Sequence, residues 1–375
     1  MDLLDIRDKI DEIDREIVNA YEKRMKLCRE VAAYKIQNGK KVLDREREEA
    51  KIAAVEKMAE SEFTKKSIGE LFSQIMAGSR KMQYGMLREA GLAQDFPFTP
   101  VEQIERNGVK VVYQGVEGAY SEEAMLTYFG EQTEAFHVET FKDAMQAIED
   151  GRADYAVLPI ENSSAGSVSD VYDLLVEFDN TIVGEQIINI RHALLGLAEA
   201  SMEDIEVVYS HPQGLMQSAR FLEEHKNWQQ ISVKNTAMAA KKILEDGDIH
   251  QAAIASERAA AHHGLKILKK EINFSESNST RFIVVTGRKI FARNADKVSI
   301  CFELPHRSGS LYQILSHFIF NNLNMTKIES RPLENRNWEY RFFVDVEGNL
   351  QDASVQNALY GIQEEAVNLK ILGNY

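Results

Sequence analysis

The sequence predicts a multidomain chain of three unlike parts: an all-α segment, a larger α/β segment and a closing βαββαβ unit. Three observations predict this. Residues 1–90 contain no proline and space their apolar residues at gaps of three and four. From Val109 onward, short apolar runs alternate with helical stretches, the rhythm of an α/β sheet. From Lys297 the order becomes strand, helix, strand, strand, helix, strand, which is the ferredoxin-like arrangement. A length of 375 residues also suits several domains better than one core.

Charge divides where proline does. Residues 1–90 hold 19 Lys and Arg against 18 Asp and Glu, and the rest holds 25 against 41. So acidic a body repels phosphate and is excluded as a general nucleic-acid binder. The start, MDLLDIRDK, lacks the basic-then-apolar layout of a signal peptide. No apolar run approaches the ~18 residues of a membrane span. Cys28 and Cys301 are too few and too far apart for a disulfide framework or a zinc site. A reduced, cytoplasmic protein without a bound metal is the expectation.

Residues 3–36 read as one helix, with an apolar stripe through Leu3, Ile6, Ile10, Ile13, Ile17, Ala20, Leu27, Val31 and Tyr34. Arg24 interrupts the stripe, and a cation there needs an anion. Lys35 lies 11 positions further, about 20° away round the helix, so the two face one space. Arg7 lies 17 positions before Arg24, roughly 100° round, and suits a site on a partner chain. QNGKK at 37–41 is a turn. A second helix from Asp44 to about Glu60 sets Asp44, Arg47 and Glu48 on one face. A third, over 64–88, carries a seam of Ile68, Leu71, Phe72, Ile75 and Met76 that runs into polar Ser79 and Gln83. Paired charges inside a dimerisation arm would produce some of this pattern. An excess of cations round one cavity suits a small dicarboxylate, which guanidinium groups bind bidentately.

Arg7, Arg24, Lys35, Asp44, Arg47, Glu48, Ser79 and Gln83 together resemble the active-site pattern of the all-helical chorismate mutase domain. The resemblance covers nearly all of 1–90. It implies three helices in an intertwined dimer, with Arg7 supplied across the interface. It also implies a pericyclic rearrangement of chorismate to prephenate, which needs a held conformer and stabilised charge on the ether oxygen. Arginines would bind the carboxylates, Lys35 and Gln83 the ether oxygen, and Asp44, Glu48 and Ser79 the ring hydroxyl and its surroundings.

Residues 91–108 read as a linker. Strands are expected at 110–114, 153–160, 205–210 and 252–256, and helices at 121–129, 166–178, 212–225 and 257–263, forming a mostly parallel sheet. The loops between them are small and polar: GVEGAYSEEA, ENSSAGSV, SHPQG, NTA and SER. Each could simply cap a helix. Five at one sheet edge point to a small anion held by helix N-termini. GVEGA lacks the spacing of a dinucleotide fingerprint, so no nicotinamide cofactor is expected.

GAYSEEA, LPIENSSAGSV, SHPQGLMQ and NSTRF, in that order, resemble prephenate dehydratase over about 109–286. The family implies a two-lobed α/β fold of the periplasmic-binding-protein type. It implies cofactor-free loss of CO₂ and hydroxide from prephenate to give phenylpyruvate, aided by a donor to the leaving hydroxyl. Thr280 matches the catalytic threonine. Asn162, Ser163, Ser121, Ser210 and Gln217 would complete the pocket. Arg281 either binds a carboxylate or is structural. Glu161 either acts as an acid, if desolvated, or caps the next helix.

In the C-terminal part, residues 297–375, GSL at 309–311 and ESRP at 329–332 resemble the phenylalanine-binding ACT regulatory domain. That family commonly has alanine where Ser310 stands. Gly309, Ser310 and Leu311 of one module would face Glu329 and Ser330 of another. Together the parts imply a bifunctional enzyme of phenylalanine biosynthesis, a homodimer or homotetramer inhibited by phenylalanine. Three alternatives stand beside it: a monofunctional dehydratase with a non-catalytic helical arm, an amino-acid sensor, and an enzyme acting on arogenate.

Overall fold

Three helices form over the predicted stretches, the second ending at Glu56 rather than near Glu60. In the computed structural model, α1 spans Leu3–Gln37, α2 Arg45–Glu56 and α3 Glu62–Glu89. The structure describes residues 2–92, 96–274, 277–304, 306, 309–333, 336 and 338–375. Three residues of the expected linker (93–95), Ser275 and Glu276 of the loop before NSTRF, and Pro305, in the first strand expected from Lys297, therefore lie outside the described residues.

Local chemistry sets the helix ends. Asp44 accepts from Arg47 N at 3.1 Å and starts α2. Ser61 and Thr64 cap α3 reciprocally. The helix α1 is roughly 52 Å long at ~1.5 Å per residue. The apolar stripe of its first half is uncovered: Leu3, Ile10 and Ile17 are 59%, 50% and 55% exposed. A stripe of this size is a candidate interaction surface.

The chain forms two compact units. Met1–Pro97 and Asp296–Ile371 make up the first, Phe98–Ala295 and Leu372–Tyr375 the second. Within the first unit, strands Lys297–Glu303, Met325–Pro332 and Tyr340–Glu347 pair antiparallel, with Met325–Pro332 at the edge. Helices Ser310–Phe320 and Ala353–Glu365 and a last strand, Val367–Asn374, complete the predicted βαββαβ order, and both helices pack against α3.

The second unit has two lobes, each with its own sheet. In the first lobe, strands Lys110–Gln114, Glu134–Val138, Tyr155–Asn162, Thr181–Asn189 and Ser279–Thr286 enclose a core that includes Val111, Tyr155, Val157, Phe282 and Val284. In the second, Ala193–Gly196, Val207–Ser210, Gln229–Ser232, Gln251–Ala255 and Lys266–Lys269 surround Leu194, Leu195, Ala253 and Ile254.

The expected sheet was mostly parallel; the observed sheets are mixed. Strand Ser279–Thr286 runs antiparallel to both its neighbours, and Ala193–Gly196 does the same in the second lobe. These strands return the chain between lobes, so they carry no βα rhythm to read. The helix expected over 212–225 is two short ones, Pro212–Gln217 and Ala219–Glu223, broken at Ser218. Part of the expected linker is folded: Thr99–Val101 pairs with Ile290–Ala292.

The polar loops also divide between the lobes. Those at 115–124 and 161–168 belong to the first lobe, and those at 210–214, 235–237 and 256–258 to the second. One sheet edge therefore becomes two edges facing across a cleft. Gly118 sits where they touch. Its φ is +82°, and a Cβ would lie 2.9 Å from Ala259 Cα in the opposite lobe. Its carbonyl accepts from Ser256 Oγ at 3.0 Å. The substitution Gly118→Ala combines backbone strain with a clash between lobes and is expected to cost about 1–3 kcal/mol. A thermal-inactivation series on the activity of this unit checks it; an unchanged inactivation temperature would contradict the close approach.

Candidate active site

Strand register builds the cleft. Thr280 lies opposite Asn162, and Arg281 opposite Glu161. Just beyond, the register slips at Pro159, which has no N–H for the ladder. Successive strand residues point to opposite faces. Thr280 and Asn162 therefore share one face, while Arg281 and Glu161 share the other.

On the cleft face Asn162 is the hub. The two hydrogens of its Nδ2 are shared among three acceptors, Thr280 Oγ1 at 2.9 Å, Asn278 Oδ1 at 3.0 Å and Ser279 O at 3.1 Å. Its Oδ1 accepts from Ser164 N, Ser164 Oγ and Ala165 N at 2.7–3.0 Å, closing an Asx turn. Gln213 Nε2, from the second lobe, reaches the same oxygen at 3.3 Å. Asn162 and Thr280 are both 8% exposed. Because Thr280 Oγ1 accepts from Asn162, its own proton is left to donate.

Gln217 closes the cleft from the other side. Its Nε2 donates to Ser164 Oγ at 2.7 Å, and its Oε1 accepts from His192 Nε2 at 2.8 Å. His192 is therefore the Nε2–H tautomer. Its Nδ1 lies 3.2 Å from Tyr120 OH. Burial lowers the His192 pKa against the opposing bond from Gln217. Ser163 Oγ accepts from Ser279 N at 3.0 Å and donates to Ser277 O at 3.2 Å, locking its loop to the strand that carries Thr280.

Other candidates sit further back. Ser210 is wholly buried behind Gly214 and donates to Ile254 O at 2.7 Å. Ser121 donates to Gln114 O in the first turn of helix Tyr120–Phe129. Both shape the backbone round the cleft. Arg281 is not brought to Thr280. Its Nε donates to Glu185 at 2.8 Å, its Nη2 to Tyr375 OH at 2.7 Å, and its Nη1 lies 3.6 Å from Glu161. Strand alternation turns Arg281 and Glu161 to the face away from Thr280, and the next helix, Ser169–Glu177, takes Val168 rather than Glu161 as its N-cap.

The sequence reading missed Asn278, Gln213, His192 and Ser164. Asn278 is 2% exposed, and its Nδ2 has no partner among the described residues. The asparagine before STRF was in plain view, but nothing local tied it to Asn162, 116 positions away.

In the helical part, Lys35 donates to Val42 O at 2.5 Å. Burial lowers its pKa, opposed by the nearby carboxylates of Asp44, Glu48 and Glu364. Lys35, Asp44 and Glu48 are thus brought together, with Glu48 paired to Arg80. Ser79 and Gln83 are buried one turn apart on α3, with Gln83 Nε2 3.1 Å from Ser79 Oγ. Gln83 Oε1 has no partner among the described residues. Reversing that amide lets Ser79 donate to it and turns the NH₂ toward the unpartnered side. Arg24 Nη1 lies 3.6 Å from Cys28 Sγ. Arg7 and Arg47 are exposed, and Arg7 lies about 25 Å along α1 from Arg24, too far to share its site within one chain.

Among the described residues, no cluster of His, Cys, Asp or Glu is arranged to hold a metal, and no helix is long and apolar enough to cross a membrane.

Known proteins agree with this layout. A family profile described as chorismate mutase type II matches residues 6–84, and one described as prephenate dehydratase matches 111–290. The bifunctional chorismate mutase/prephenate dehydratase of Aquifex aeolicus is 33% identical over all of this chain and 98% of its own. The chain belongs to the bifunctional chorismate mutase/prephenate dehydratase family. It is thus an isomerase and a lyase of phenylalanine biosynthesis. Among solved structures, the prephenate dehydratase of Arthrobacter aurescens in complex with L-Phe has a TM-score of 0.67 at 28% identity, covering 71% of this chain and 89% of that one. A structure described as a quorum-quenching acylase has a TM-score of 0.66 at 30% identity, covering 71% of this chain and 97% of that one.

The buried His192 has a testable consequence for this family member. With its folded pKa below the unfolded value of about 6.5, the unfolded state binds the proton first. The stability that neutral His192 contributes is complete above about pH 6.5 and is lost as pH falls through the folded pKa. Denaturation of the full chain between pH 8 and 5 is expected to show falling stability of the dehydratase unit, with a shallower slope in His192→Asn. An unchanged slope would contradict the assignment.

Proposed function

We propose that both reactions run in sequence on this chain: chorismate is rearranged in the helical part, residues 1–90, and prephenate is dehydrated in the cleft of residues 109–286. The observation that carries the dehydratase reading is the Thr280 hydroxyl. It is buried, its oxygen is occupied by Asn162, and its proton is free to point at a ligand between the lobes.

In the cleft, the electrons of the bond to the ring carboxylate move into the ring as CO₂ leaves. The C–O bond to the ring hydroxyl breaks on the opposite side of the ring, and that oxygen departs as water after taking up one proton. Aromatisation drives the step. Thr280 donates to the leaving oxygen as charge builds on it. A threonine hydroxyl is too weak an acid to give up its proton outright at neutral pH, so it acts as a hydrogen-bond donor or relay. Asn162, Asn278 and Ser164 hold it in place. The Gln213 and Gln217 contacts join the lobes over the substrate and exclude water.

In the helices, Lys35 and Gln83 would donate to the ether oxygen of chorismate, Arg24 and Arg47 would bind its carboxylates, and Asp44, Glu48 and Ser79 would surround the ring hydroxyl. The exposed stripe on α1 and the remote Arg7 support a homodimer in which Arg7 enters the partner's site; dimers and tetramers both satisfy this.

Residues 297–375 are read as an ACT module that binds phenylalanine and feeds back on the cleft. Support comes from Gly309, whose φ of +82° opens helix Ser310–Phe320. Glu329 and Ser330 lie on the outer edge strand of their sheet, where a second module could pair. The relative solved with L-Phe adds to it. The expected location is the cytoplasm.

A two-stage assay tests the reading, with chorismate in and phenylpyruvate out, with and without phenylalanine. Wild-type protein is expected to complete both steps and to slow with phenylalanine. Thr280→Ala is expected to lose roughly 10²–10³ of the dehydratase rate, the range for one well-placed donor, while still releasing prephenate. Full dehydratase activity in Thr280→Ala would overturn the site. No prephenate from wild-type protein would leave the helices as a dimerisation arm.

A further inference from the structure

In the first unit, a chain of buried charges runs out of the proposed mutase site. Glu48 pairs with Arg80, and Arg80 Nη2 lies 2.9 Å from Glu365 Oε1. Glu365 in turn lies 3.2 Å from His317 Nε2. The four side chains come from α2, α3 and the two helices of the βαββαβ module. Arg80, Glu365 and His317 are 9%, 13% and 7% exposed at their side chains. Such groups are costly to bury unless fully paired. Burial pushes the Glu365 carboxyl up, but His317, Arg80 and Arg45 together hold it below its ordinary value.

The residue before Glu365 repeats the pattern. Glu364 accepts from Tyr84 OH on α3 and from Leu43 N at 3.0 Å, one position before Asp44. Arg45 Nη2 caps the end of the same helix, at 2.5 Å from Glu364 O and 3.1 Å from Glu365 O. The first turn of α2, which carries Asp44, Arg47 and Glu48, is thus tied to the end of helix Ala353–Glu365. The packing is made for this contact. At Gly361 a Cβ would lie 2.3 Å from the His317 ring, so only glycine lets the imidazole reach across toward Glu365.

We propose that Arg80 and Glu365 are positioning residues of the mutase reaction: Arg80 orients the Glu48 carboxylate, and Glu365, from the C-terminal module, orients Arg80. The two carboxylates take separate nitrogens of one guanidinium. With Glu365 neutral, Arg80 is drawn to Glu48 alone and pulls it away from the substrate. The proposal rests on Glu48 belonging to the mutase site.

The test uses the full chain, with both reactions measured separately on each sample. Glu365→Gln and Arg80→Lys are expected to lower the mutase kcat roughly tenfold, as small misplacements do, with the dehydratase rate unchanged. Lysine keeps the charge of Arg80 but cannot hold two carboxylates on separate nitrogens. Glu365→Asp should restore most of the mutase rate. Glu48→Gln serves as the control. If it alone slows the mutase, the link through Arg80 and Glu365 is overturned and the site stands. If Glu48→Gln has no effect, the site assignment itself fails. A loss shared equally by both reactions in Glu365→Gln would mark a purely structural contact and would also overturn the proposal.

Discussion

The dehydratase unit turns on one amide, that of Asn162. Its oxygen folds the loop at 162–165 and meets Gln213 of the other lobe, while its nitrogen binds the strand that carries Thr280. A buried amide left half-satisfied would cost the full desolvation penalty of the orphaned atom. Here both ends are occupied, and the partners come from three separate stretches of chain. Loop shape, strand register and lobe closure are therefore one constraint. The Thr280 oxygen accepts from the same amide, which leaves its own proton to donate.

Much of this was legible in the sequence, and the reasons for the gaps are specific. The apolar spacing in α1 and α3 is a local signal, and helices obey local signals. The small polar loops were visible because Ser, Asn and Thr mark strand-to-helix turns. What could not be read was which lobe each loop belongs to, since the antiparallel strands Ala193–Gly196 and Ser279–Thr286 return the chain without a helical crossover. The roles offered to Arg281 and Glu161 turned on strand parity. Adjacent to Thr280 and Asn162 in sequence, both point the other way, into an ion cluster with Glu185. Asn278 and His192 escaped notice because their partners are distant in the chain.

An acidic protein that handles anions presents no contradiction. The excess of negative charge lies outside the helical part, and the cleft offers hydroxyls, amides and backbone N–H groups rather than cations. Arg281, next to Thr280 in sequence, is paired with Glu185. The helical part, near neutral overall, keeps cations at Arg7, Arg24, Lys35 and Arg47. Two chemistries follow from the two designs. A pericyclic step needs a dianion clamped in one conformer, which suits fixed cations. A fragmentation that releases a ring hydroxyl needs a donor in a dry cleft, which suits Thr280.

The dehydratase kcat of Asn162→Asp tests the account most directly. Aspartate is nearly isosteric and still accepts from Ser164, Ala165 and Gln213, but it has no hydrogen to give Thr280. The hydroxyl proton of Thr280 would then turn to the carboxylate and away from the substrate. A fall of about a hundredfold or more, with mutase activity retained, is the predicted result. Turnover of prephenate at the wild-type rate would contradict the account.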